Sequence, residues 1–168
     1  MKKIILILCI FTFSVSVQAT DTEKFVSQYS GQYGYTVVTL GKPAIRMMLI
    51  VSRISGSSSE DVKLMSNTES VRIISLDVNS PKDRIDAFVS NVLQFSGSTG
   101  FEKFVTVEEL ASSVIVFSRL DNDTITGLII LDVDETLKTV DAVFVDGKFS
   151  FEDVSGLASS NFKMFNKK

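Results

Sequence analysis

The chain has 168 residues, 45% apolar and 22% charged, with two Pro, nine Gly, one Cys, neither His nor Trp, and a formal net charge of −3. That composition is globular rather than disordered, collagenous or disulfide-stapled. Without an imidazole, and with a single thiol, it excludes a Ser-His-Asp triad, an internal disulfide, His acid–base chemistry and the common zinc ligand sets.

Lys2 and Lys3, the apolar run Ile4 to Val17 and the small-residue site Val17-Gln18-Ala19 read as an export signal cut after Ala19. The run is shorter than the about 20 helical residues that span a bilayer, so no retained transmembrane helix is expected. Cys9 follows bulky Leu8 in the middle of that run, which argues against lipid attachment. Cleavage removes the only thiol and two positive charges. Residues 20–168 then form one acidic domain, expected to avoid broad adhesion to nucleic acid or anionic lipid. The expected location is the periplasm or the exterior.

Glu23 to Ser30 carries Phe25, Val26 and Tyr29 at helical spacing, and Gly31 and Gly34 end that pattern. Tyr35 to Leu40 is β-branched and aromatic, hence a strand. Lys42-Pro43 opens a helix in which Ile45, Met48, Leu49 and Ser52 line one side. Met47, Ile50 and Val51 widen its apolar surface, so this helix is expected to be largely buried. Ser55 to Ser59 reads as a loop and Glu60 to Met65 as a turn of helix. Val71 to Val78 is apolar on both faces, which suits a central strand.

Ser80-Pro81-Lys82-Asp83 has the form of a capping box. Ile85, Phe88, Val89, Val92 and Leu93 follow as the clearest amphipathic helix, ended by Gly97 to Gly100. The period then changes to two, giving strands at Phe101–Val107, Val114–Leu120, Thr124–Val133 and Lys138–Val145. Asp121-Asn122-Asp123 and Asp134-Glu135-Thr136 connect them, and Asp146-Gly147 reads as a tight turn. Ser150 to Asp153 resembles a second capping box, opening a helix that runs to about Leu157 before the tail Asn161–Lys168. The expected class is α+β: a single mainly antiparallel sheet ending in a β-meander, with helices packed on one face.

With those elements in place, the whole chain resembles the domain of unknown function family 4252, small exported proteins of Gram-negative bacteria. The resemblance rests on the signal, Phe25 to Tyr29, Met47-Met48-Leu49 after a Gly-Lys start, Val114 to Phe117, and the Val143 to Gly147 turn. Members often look like lipoproteins, whereas Cys9 lacks that context. The resemblance implies no catalytic residues.

Five groups of residues invite a chemical reading. Asp121, Asn122 and Asp123 are oxygen ligands of the kind Ca²⁺ takes, but Ile125 and Gly127 break the EF-hand spacing, and Asx residues are favoured in turns anyway. Asp132 and Asp134 share a strand face, with Glu135 adjacent and Asp141 expected opposite, so they form a carboxylate pair or a solvated strand end. Ser57, Ser58 and Ser59 near Lys63 suggest a Ser-Lys pair, yet the spacing is not S-x-x-K, and Gly56 with the serines suits a flexible loop. Gly31, Gly34 and Gly41 match no phosphate loop. Met47, Met48 and Met65 would make an adaptable groove if exposed, with core packing the plainer expectation.

No catalytic, cofactor-binding or metal-binding residue is assigned. The leading expectation is a non-enzymatic exported module that binds another envelope protein or itself, through an open sheet edge. The runner-up is a small-ligand or lipid-binding protein with the helix Ile45–Val51 lining a pocket. The third is an acid-only hydrolase.

Overall fold

A computed structural model describes residues 20–55, 59–77 and 79–154. The segment expected to be an export signal, residues 56–58, Val78 and residues 155–168 lie outside the described residues. Helix α1 spans Asp21–Ser27, with Thr20 as its N-cap accepting a hydrogen bond from the Glu23 amide at 3.2 Å. Strand β1 is Tyr35–Gly41, followed by α2 Lys42–Ser55 and α3 Ser59–Asn67. Then come β2 Thr68–Leu76, α4 Lys82–Ser98, β3 Glu102–Glu108, β4 Ser112–Asp121, β5 Thr124–Asp134 and β6 Thr139–Phe149. Residues 151–154 form a final turn of helix.

All six strands join one sheet in the order β1-β2-β6-β5-β4-β3, and every neighbouring pair is antiparallel. The expected α+β class is what the chain forms, and β3 to β6 are the expected meander. Residues alternate between the two faces of each strand, and both faces are apolar. On the first face, Ile74, Leu76, Phe117, Ile129, Leu131, Val140, Ala142 and Phe144 meet α1 and α4. Phe25 stacks on Phe95 with centroids 4.4 Å apart, and Tyr29 meets Phe88 edge-on at 5.1 Å.

The second face is covered too. Leu128, Val116 and Val145 pack there with Leu64 of α3, Phe149 and Val154. Helices therefore lie on both faces, not one. The reason is in the strands themselves: Val71 to Leu76 and Leu128 to Leu131 put apolar side chains on alternate sides, and each side needs cover.

Two turn and cap readings change. Asp146-Gly147 is not a turn, because β6 runs through it to Phe149. Gly147 is required there because a β-carbon would run into the backbone carbonyl oxygen of Asn67 and the Phe149 ring. At α4, Pro81 is itself the N-cap, extended at φ −60° and ψ 149°, and no side chain caps the helix. Ser80 thus falls one residue early, and its buried Oγ has no hydrogen-bond partner among the described residues. The second capping box does form: the Ser150 amide donates to Asp153 at 2.9 Å, and the Asp153 amide donates to Ser150 Oγ at 3.2 Å.

Replacing Gly147 with Ala overpacks β6 against fixed backbone and is expected to cost about 1–3 kcal/mol in urea denaturation. Gly97, near the end of α4, has open space at the β-carbon position, so Gly97→Ala should be neutral or stabilising by up to about 1 kcal/mol.

Candidate functional site

The carboxylates come together as the strand register demands. Asp132 lies directly opposite Asp141 across β5 and β6, and Asp134 is two residues along on the same face. Burial raises the Asp132 pKa first, and the charges of Asp141 and Asp134 add to it. Asp134 is already engaged in structure: its Oδ1 accepts from the amides of Thr136 at 2.9 Å and Leu137 at 2.8 Å, closing a loop in which Lys138 has φ 54°. Among the described residues, no group of three acidic, His or Cys side chains is arranged to hold a metal ion.

Asp121, Asn122 and Asp123 form the β4–β5 hairpin turn. Asn122 takes φ 55°, a left-handed conformation that Asn tolerates, and its Nδ2 donates to Asp121 Oδ1 at 3.2 Å. Gly31 and Gly34, at φ 76° and 87°, serve the turn before β1. Ser57 and Ser58 lie outside the described residues. Lys63 pairs with Asp153 at 2.7 Å, and the hydrogen bond to that carboxylate raises its pKa. A Ser-Lys base needs the opposite shift, so Lys63 is held in its charged form as a tether between α3 and residues 151–154.

The surface that departs furthest from expectation is α2. Ile45 is buried, but Met47 is 70% exposed, Met48 45% and Ile50 60%. Through Ile50 the helix is not largely buried, because it packs beside α3 and over β1 and β2 at the margin of the sheet, where one side of it meets protein among the described residues. Met65 on α3 is half-buried. A hollow lies at the β3–β4 turn, lined by Glu108, Glu109, Leu110 and Glu135. The signal for α2 was present in the sequence. Its apolar residues run around the whole helix, which fits either full burial or one face inward and one outward.

Beside α2 lies β1, one outer strand of the sheet. The Asp77 amide donates to the Gly34 carbonyl at 2.8 Å, and these residues face each other one step beyond Tyr35 and Leu76. Alternation along an antiparallel ladder then directs Thr36, Val38 and Leu40 to β2. The amides and carbonyls of Val37 and Thr39 point to the open edge. Tyr35 to Gly41 holds no charge and no Pro, and its pairing shows no bulge. The opposite edge, β3, carries Glu102, Lys103 and Glu108 and is bulged between Lys103 and Val105. Charges and bulges are the usual means of blunting an edge, and only β3 has them.

A family model described as a domain of unknown function (DUF4252) matches residues 29–157. The chain belongs to the DUF4252 family. The match begins just after α1 and includes all six strands of the sheet. No curated protein and no solved structure matches this DUF4252 chain.

Two electrostatic outcomes follow for the DUF4252 domain. The folded pKa of Asp132 lies above its ordinary 3.8, so its cost to stability is absent at low pH and grows as pH rises through the folded value. Asp132→Asn should therefore stabilise the protein at pH 7, by up to about 1 kcal/mol in denaturant titration, and have little effect at pH 3. Asp153 is the opposite case: hydrogen bonds from Lys63 and the Ser150 amide lower it from 3.8 to about 2. Its contribution is present above pH 3.8 and is lost as pH falls toward 2, and Asp153→Asn should flatten that limb of the stability–pH curve.

Proposed function

We propose that the chain is an exported, non-enzymatic module that binds another cell-envelope protein, or a second copy of itself, by strand addition at β1. The observation that carries this reading is the contrast between the two outer strands. An uncharged strand without Pro or bulge is a template for another chain, and such edges are normally blunted where they are not used. Strand addition draws affinity from main-chain hydrogen bonds and specificity from alternate side chains. At β1 the main-chain groups are those of Val37 and Thr39, and exposed Val38 provides an apolar contact beside them. Export rests on the basic, apolar and small-residue segments at positions 2 to 19.

The test is crosslinking in the protein's own cells, with captured chains identified by mass spectrometry, for the parent and for Thr39→Pro. Thr39 is exposed, and its amide points away from β2, so Pro removes no bond of the β1–β2 ladder. Capture of one dominant partner by the parent, lost in Thr39→Pro while the melting temperature holds, is expected. Equal capture by both chains, or no specific capture at all, overturns the reading.

A further inference from the structure

We infer that the outer face of α2 docks on an anionic lipid surface, a reading independent of strand addition at β1. This helix is the charge exception of an acidic chain. Lys42, Arg46 and Arg53 lie on it, and no carboxylate falls between Lys42 and Ser55. Its first turn contains no acidic residue, whereas α1 places Asp21 and Glu23 there and α4 places Asp83. Lys42 at that end opposes the helix dipole, so an external anion relieves a local cost that the other helices meet with their own side chains.

Pro43, Arg46, Met47 and Ile50 follow the i, i+3, i+4, i+7 spacing, and all four are exposed. Ile45 holds the inner side against the protein, and Met48, 45% exposed, lies on the flank of the helix between the two sides. Cations flanking flexible apolar side chains on one helix face are the makeup of an in-plane interfacial helix. A bilayer asks only for charge and a few ångströms of apolar depth. A protein groove takes anchors at the same i, i+3, i+4 and i+7 spacing, but three cations with no carboxylate on the helix favour an anionic bilayer. The carboxylates nearest in sequence, Glu60 and Asp61, begin α3, so the basic surface is centred on the first half of α2. Expected avoidance of anionic lipid by the net charge still describes the other faces. Repulsion there orients the molecule with α2 toward the surface.

Co-sedimentation with vesicles tests the inference, comparing phosphatidylcholine alone with phosphatidylcholine containing about 30% phosphatidylglycerol. The full chain recovered from cells is used, so that any retained apolar segment contributes equally to parent and variants. The parent should bind the anionic vesicles at least about tenfold more tightly than neutral ones, with binding falling as salt is added. The double variant Lys42→Gln/Arg46→Gln should lose about 30-fold on anionic vesicles, and Met47→Ser/Ile50→Ser about tenfold. All four positions are exposed, and unchanged melting temperatures show that the fold survives. Thr39→Pro should bind vesicles like the parent, which separates this surface from the β1 edge. No vesicle binding by the parent, or equal binding by parent and both α2 variants, overturns the inference. Loss of a crosslinked protein from the α2 variants without any loss of vesicle binding assigns the face to a protein and overturns it too.

Discussion

The pairing of β6 with β2 is the contact on which the rest of the sheet depends. Strands β3 to β6 are joined by local turns, and β1 reaches β2 through the α2–α3 segment. Only the β2–β6 ladder unites these halves, placing Val71 opposite Val145. A slip of one residue would carry Ala142 and Phe144 away from α1 and α4 and turn Val143 toward them. Two devices hold the register. Arg72 pairs with Asp146 at 2.6 Å, and Ser70 Oγ donates to the same carboxylate oxygen at 2.9 Å. Next to them Gly147 leaves room for the Asn67 backbone. Arg72 and Asp146 are largely shielded from water, so losing one member would strand the other's charge.

Most elements were legible in the sequence because their periods were clean. Ile85, Phe88, Val89 and Val92 announce α4, and alternation announces β3, β4 and β5. What was not legible depended on neighbours distant in the chain. Gly147 sits in an Asp-Gly pair that local chemistry reads as a turn, and only the Asn67 backbone lying against it explains a straight strand. Ser80 has the right spacing for a cap, yet the extended backbone at Pro81 moves the helix start by one residue. Helix placement on both sheet faces is implicit in the two-sided apolarity of β2, which by itself speaks equally for a central strand.

The candidate carboxylates were found at the positions expected, and the register brought Asp132 and Asp141 together. Their roles were less visible, since Asp134 is committed to two backbone amides of its own turn. The exposed side of α2 was missed for a different reason. Hydropathy reports that a residue prefers burial, and it does not say whether a second layer of protein is available at that margin of the sheet. The uncharged β1 and the basic, apolar α2 are adjacent in the chain and lie together at one side of the domain, while the acidic turns and the blunted β3 lie toward the other. The domain is thus polarised across the width of its sheet.

The late position of β6 also sets the order in which the protein can be built. Nearly the whole chain must be synthesised before β2 meets its second neighbour, because that neighbour ends at Phe149. Until then β1 and β2 form at most an isolated pair, and a two-stranded ribbon has little stability in water. Closing the sheet requires a long-range encounter, which slows folding and prolongs the exposure of half-made apolar faces. A growing chain therefore cannot complete its sheet until the residues through Phe149 are available.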